Sequence, residues 1–215
     1  AWGEYIYTST PRMTQTVDNS AEVIHENAPV PYWASHPVYK KYTDDFGVVT
    51  YETDVDGNYI VEKNQKHYVP STPQLAANIG FNYRTNSYWF FEIDAQYFAK
   101  SYLDMNPSYR TDYAVNGPDG VFTPYEVEYM AAQEEFDPVF LLNASIGKSW
   151  YINRKYNFGF SMNIQNITNN KNVKTGGYEQ TRLIDSESAE RFYRFDSKYF
   201  YMQGINYMLN LYFRF

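Results

Sequence analysis

Glu92, Asp94 and Gln96 follow one another at two-residue spacing inside Tyr88–Ser101. Two carboxylates so close suggest general acid–base chemistry of the glycosidase kind. On an extended strand, however, such side chains share one flat face about 7 Å apart. No pocket-forming residues flank them, so they read as polar wall groups, and no residue of the chain is assigned a catalytic role. His25, His36 and His67 are scattered through one long connection, and no two have the close spacing of a metal-binding pair. They are expected to be exposed loop residues, and neither a metal nor another cofactor is expected. The run Asp54-Val55-Asp56-Gly57-Asn58 resembles the opening of a calcium loop. Its glycine falls two places early, and Gln65 stands where the bidentate glutamate is required. It is expected to be a hairpin tip within Val48–Lys63, with Asp56-Gly57 as a type I′ turn.

The elements that would carry these residues are strands, because apolar and polar residues alternate along the chain. In Tyr156–Asn166, Tyr156, Phe158, Phe160, Met162 and Ile164 share one face, and Asn157, Gly159, Ser161, Asn163 and Gln165 share the other. The same split places Trp89, Phe91, Ile93 and Tyr97 opposite Glu92, Asp94 and Gln96. It recurs in Pro73–Arg84 and in Pro138–Ile152, where Lys148 interrupts the apolar set and Asn143 belongs to the polar one. Lys148 falls near a strand end, where its stem can snorkel. Six strands are expected: Ala1–Thr8, Pro73–Arg84, Tyr88–Ser101, Pro138–Ile152, Tyr156–Thr168 and Tyr199–Phe215.

Short and long connections alternate between them. Thr85-Asn86-Ser87 and Asn153-Arg154-Lys155 are tight polar turns, whereas Pro11–Thr72, Asp104–Asp137 and Asn169–Lys198 are long. This rhythm matches an outer-membrane barrel, with short periplasmic turns and long extracellular loops. Glu128–Phe136 is expected to form two helical turns inside the second long loop.

Composition narrows the class. The net charge of −7, from 18 basic and 25 acidic residues, speaks against a nucleic-acid partner. Cysteine is absent, so there is no disulfide framework or thiolate metal site. No apolar run reaches the roughly 18 residues of a transmembrane helix. The aromatic content is high, with 24 Tyr, 15 Phe and 4 Trp, and such residues favour strands and membrane–water boundaries. The chain opens within a patterned stretch and is expected to be the C-terminal part of a longer polypeptide.

The expected fold is all-β: an antiparallel transmembrane β-barrel, present as a C-terminal arc of about six strands with long extracellular loops. Six strands fall short of the roughly eight needed for a single-chain barrel, and the polar face suits the wall of a wide lumen. Lumen-facing candidates are Glu92, Asp94, Gln96, Asn143, Asn157, Asn163 and Gln165. Tyr32, Trp33, Tyr109, Tyr125 and Phe192 are loop candidates for contact with a ligand or partner.

Three segments carry a resemblance. The strand end Asn163–Asn170, the loop Gly176–Gln180 and the aromatic terminal stretch resemble the C-terminal end of Bacteroidetes-type TonB-dependent outer-membrane receptors, including SusC-like nutrient importers. Ser71–Thr111 is similar to the preceding hairpin of such receptors. The resemblance implies a barrel of ~22 strands around a plug, located in the bacterial outer membrane. It also implies TonB-driven uptake of a glycan, peptide or chelate. The implied partners are the remaining barrel and plug, the TonB system, outer-membrane lipid and a SusD-like surface lipoprotein. The plug and the TonB-contacting segment are not in this sequence. Phe215 resembles the terminal aromatic residue presented to the barrel-assembly machinery. The alternatives are a passive porin and a soluble, aromatic-rich β-sandwich that binds carbohydrate.

Overall fold

The computed structural model describes residues 1–16, 21–70, 72–117, 120–153, 155–181, 183–184 and 192–215, the pair 183–184 by backbone alone. Most of the chain is β-structure. Its largest unit is an antiparallel sheet of β1 (Leu75–Arg84), β2 (Trp89–Ala99), β3 (Val139–Ile152), β4 (Tyr156–Gln165) and β5 (Asn206–Arg214). The strands lie side by side in chain order. Among the described residues the sheet is open, with β1 and β5 as its edges.

The register turns the alternation into two faces. Across the sheet, Phe81 pairs with Ile93, Ile93 with Ala144, Ala144 with Ile164, and Ile164 with Tyr207. On the opposite face Asn82 pairs with Glu92, Glu92 with Ser145, Ser145 with Asn163, and Asn163 with Met208. A one-residue slip in any strand would exchange its faces, so the sequence pattern specifies the register strongly. Ile79 is 78% exposed and Leu211 76%, so the apolar face is largely bare.

The two short turns close hairpins at one end of the sheet. Thr85 N–H donates to Trp89 O at 2.9 Å, and Lys155 N–H donates to Ile152 O at 3.0 Å. At this end Trp150 stacks on Phe158 with ring centroids 4.8 Å apart, and Tyr156 packs against Phe213. Lys148 bends toward the turn, donates to Ser87 O at 2.6 Å, and sits over the rings of Trp89 and Trp150. Among the aromatic rings on the polar face, two are seated over glycines: Phe90 lies over Gly147 and Tyr212 over Gly159, where a Cβ would come within 2.2 and 2.5 Å of them.

Several expectations need correction. Ala1–Thr8 is not a strand: Trp2 and Ile6 make isolated bridges to Leu75 and Tyr68. The closing stretch is two strands, Lys198–Tyr201 and β5, because the chain leaves the sheet between them. Lys198–Tyr201 pairs instead with Lys174–Tyr178. The helix starts earlier than expected and spans Pro124–Ala131 (α2). Thr123 caps it by accepting Glu126 N–H at 3.3 Å, and proline occupies its first turn. A shorter helix, Asp112–Asn116 (α1), follows the 3₁₀ turn Pro107–Arg110 and was not anticipated.

The arms of Val48–Lys63 do not pair with each other along their length. Val49–Tyr51 pairs with Lys41–Thr43, and Val61–Lys66 pairs with Ser35–Tyr39. Only the tip closes, by the Thr53–Tyr59 bridge. Gly57 adopts φ +84° while Asp56 does not take positive φ, so the tip is not a type I′ turn. Asp54 Oδ1 accepts the N–H groups of Asp56 and Asn58 at 2.9 Å each.

The main buried core lies in the long connections rather than on the sheet. Tyr39, Tyr109, Val115, Val127, Met130 and Phe192 pack together, and Tyr32, Tyr51, Tyr113 and Tyr129 close over them. Long connections of this size therefore form a packed layer of ribbons and short helices beyond one end of the sheet.

Candidate functional site

All seven residues expected to face a lumen lie on the polar face. Asp94 pairs with Asn143, and Glu92 with Ser145, whose Oγ donates to Asn163 Oδ1 at 2.7 Å. Asn157 lies near the short turns, and its shielded Oδ1 has no hydrogen-bond partner among the described residues. Asp94 leans over Gly80, where a Cβ would come within 2.6 Å of its Oδ1.

The structure brings Gln96, Asn143 and Gln165 to one place. There the polar face meets the break in the closing stretch, forming a groove of about 310 Å³. Gln203 and Asn206 complete its polar rim, and Leu141 and Met202 supply its apolar surface.

One buried side chain builds this corner. Asn166 ends β4 in the left-handed region, φ +51°, which asparagine tolerates better than most residues. Its backbone N–H donates to Asn143 Oδ1 at 2.9 Å. Its Oδ1 accepts Asn170 N–H at 3.0 Å, and its Nδ2 donates to Asn170 O and Gln203 O at 2.9 and 3.1 Å. Asn169 Oδ1 then accepts Ile205 N–H at 3.0 Å. A side chain at Gly204 would collide with that Oδ1, since its Cβ would lie 2.4 Å away. The sequence Asn163–Asn170 thus sets both the end of β4 and the point where the closing stretch breaks.

The loop aromatics divide. Tyr125 is exposed and stacks on Tyr129 with centroids 6.0 Å apart. Trp33 is half-buried against Tyr7, and Tyr32 packs on the core. Tyr109 and Phe192 are corrected as contact candidates: their rings are buried in the core. Burial pushes the Tyr39 hydroxyl up to about 12, with Tyr32 and Glu128 adding to the effect.

A buried charge cluster fixes the core and was missed in the sequence. Glu179 receives a bidentate contact from Arg110 and a second guanidinium contact from Arg194. It also accepts Asn106 N–H at 2.7 Å. Arg110 is completely buried, and its remaining donors reach the carbonyls of Asn106, Ala131 and Ala132 at 2.8–3.2 Å. Burial disfavours its charge and the Glu179 carboxylate favours it. The segment Gly176–Gln180 delivers Glu179 by pairing with Asp104, as Glu179 N–H donates to Asp104 O at 3.0 Å.

The histidines are also corrected. His36 and His67 are buried, and His36 Nδ1 lies 2.8 Å from His67 Nε2. His67 Nδ1 lies 2.8 Å from Trp33 O. A carbonyl only accepts, so His67 Nδ1 carries the proton and His36 Nδ1–H donates to His67 Nε2. Burial lowers both, His36 to about 3 and His67 to about 4. His25 is half-buried, edge-on to Tyr113. No group of three His, Asp or Glu side chains among the described residues could hold a metal. Phe215 projects from the end of β5, 93% exposed.

No family model, curated protein or solved structure matches the chain.

Proposed function

We propose that this chain forms a C-terminal arc of the wall of a plugged outer-membrane β-barrel, and that the complete protein is a TonB-dependent nutrient receptor. The observation that carries the reading is the register: five strands place their apolar sets on one continuous exposed face and their polar sets on the other. A bare apolar face of this extent requires a cover, and lipid is the cover that also accounts for the rest of the pattern. The rings at the short-turn end form a boundary girdle, with Lys148 snorkelling among them. Further wall strands would meet the open edges of β1 and β5. The layer of packed loops would stand outside the cell, where a SusD-like lipoprotein could dock.

The test is fractionation of cells expressing the full protein, followed by electrophoresis with and without heating. The reading predicts outer-membrane recovery, detergent-dependent solubility and heat-shifted mobility. Recovery as a detergent-free soluble monomer would favour the β-sandwich instead. Uptake that persists without TonB would favour the porin.

A further inference from the structure

Lys148 is the one charged side chain in the apolar sets of the five strands, in a row with Trp89, Phe160 and Leu211. Its ammonium carries three donors. It donates to Ser87 O at 2.6 Å, and the ring centroids of Trp89 and Trp150 lie 5.1 and 5.6 Å from the nitrogen. Among the described residues no carboxylate pairs with it. The N–H groups of Asn86 and Ser87, at the tip of the turn that Lys148 reaches, also make no hydrogen bond to described residues. A cation on an apolar face is costly without a counter-charge, so this corner of the sheet calls for an anion.

A notch lies farther along the same strand. Ala144 is the small member of its row, set between Ile93 and Ile164 with Phe81 and Tyr207 beyond them. The space over Ala144 is about 220 Å³, walled by Phe81, Phe91, Ile93, Ile146 and Ile164. Glu92 and Ser145 also border it, but their side chains belong to the opposite face. The notch thus presents hydrocarbon and suits a hydrocarbon chain.

The spacing joins the two features. From Ala144 to Lys148 the strand rises about 13 Å, and a barrel tilt of about 35–45° turns this into roughly 10 Å of depth. One leaflet of hydrocarbon is about 15 Å thick. With the ammonium at the level of the lipid phosphates, the notch therefore falls among the acyl chains. A free phosphate or a carboxylate would satisfy Lys148 and leave the notch empty. An uncharged lipid would fill the notch and leave the cation unpaired. A phospholipid supplies both parts at the required separation.

We infer that Lys148 and the Ala144 notch form a binding site for one glycerophospholipid, with its phosphate on Lys148 and an acyl chain in the notch. The inference rests on the proposed barrel and goes beyond it, because it makes one strip of the lipid-facing wall a specific site.

The test places the full protein in phospholipid vesicles containing a trace of phosphatidylglycerol with a diazirine in the middle of one acyl chain. After illumination, labelled residues are mapped by mass spectrometry. Labelling of Ile93 and Ile146, at the notch, should exceed several-fold that of Leu209 and Leu211, on the same face but away from it. The excess should be lost in Lys148→Gln, which removes the charge, and in Ala144→Phe, which fills the notch. Each variant is compared as a preparation that retains heat-shifted mobility. Diacylglycerol with the same diazirine chain lacks the phosphate and should label the two pairs alike. Even labelling by phosphatidylglycerol, or an excess that persists in either variant or with diacylglycerol, overturns the site and leaves the lipid-facing wall intact. Absence of label from both pairs rejects the barrel reading itself.

Discussion

The sheet and its loop layer use aromatic and aliphatic residues in opposite ways. On the sheet, Ile79, Phe81, Leu209 and Leu211 point away from the rest of the chain and remain bare. In the loops, Tyr109, Val127, Met130 and Phe192 are buried against one another, with a fully buried arginine beside them. The loop layer thus satisfies its own groups in the manner of a soluble domain. The sheet satisfies its interior backbone groups by strand pairing and leaves its apolar side chains uncovered by the described residues. The loops also expose single apolar side chains such as Phe46 and Val55 at their tips, but the aligned, strand-to-strand exposure of apolar residues belongs to the sheet. The difference makes the two regions separable by mutation.

The largest effect should come from the charge cluster. Glu179→Ala leaves Arg110 and Arg194 facing each other without a carboxylate, a loss of about 3–5 kcal/mol for a broken buried pair. Limited proteolysis should then cut the loop layer while the strands stay protected. Next, Met130→Ala should destabilise the same layer by about 2–5 kcal/mol through the cavity it leaves. Thermal or denaturant unfolding followed at the loops would measure it.

Leu209→Arg addresses the other region. Against lipid it should cost about 2–4 kcal/mol near the bilayer midplane, whereas Asn210→Arg on the opposite face should fall within about 0.5 kcal/mol. Equal effects of the two, measured by unfolding the full protein from lipid vesicles, would remove the distinction between the faces. Asn166→Ala should cost about 1–3 kcal/mol by leaving buried partners unpaired. Hydrogen exchange should localise the loss to the end of β4 and the break before β5.

The smallest effect near neutrality concerns the histidine pair. Both folded values lie below the ordinary 6.5, so the unfolded chain takes up protons first. The stability contributed by the neutral pair is fully present above pH 6.5. It is lost progressively as pH falls below 6.5, and the loss is complete near 4 for His67 and near 3 for His36. Hydrogen exchange around Trp33 and His67, corrected for intrinsic rates, should therefore show protection unchanged from pH 8 to 7 and reduced by pH 5. His36→Phe should flatten that dependence.

The strands were legible because period-two alternation is a local signal, and β3 and β4 carry it nearly without error. The break before β5 was harder to read, since Tyr199–Phe215 keeps its aromatic character across Gln203-Gly204. The cause of the break lies in Asn166 and Asn169, on another strand's end. The loop core was not legible. Its residues come from distant segments, and neither α1 nor α2 is long enough to impose a helical period. Arg110 and Glu179 are 69 residues apart, and His36 and His67 are 31 apart, so no spacing rule joins either pair. A local signal was present for α2: Thr123-Pro124-Tyr125-Glu126 has the form of a capping box and fixes the helix start. Of the candidate site, the polar face was legible from alternation. The groove was not, because it exists only where the Asn166 turn meets the chain break.

Nitroxide labels on the full protein in lipid bilayers test the central claim most directly. One set replaces Ile79, Ile93, Ile146, Met162 and Leu209, and the other replaces Asn78, Asp94, Ser145, Asn163 and Asn210. The account predicts that the first set collides with oxygen and is shielded from a water-soluble nickel chelate, with the second set less accessible to oxygen at every strand. If the first set collides with the chelate, or is shielded from both reagents as in a protein core, the apolar face does not meet lipid.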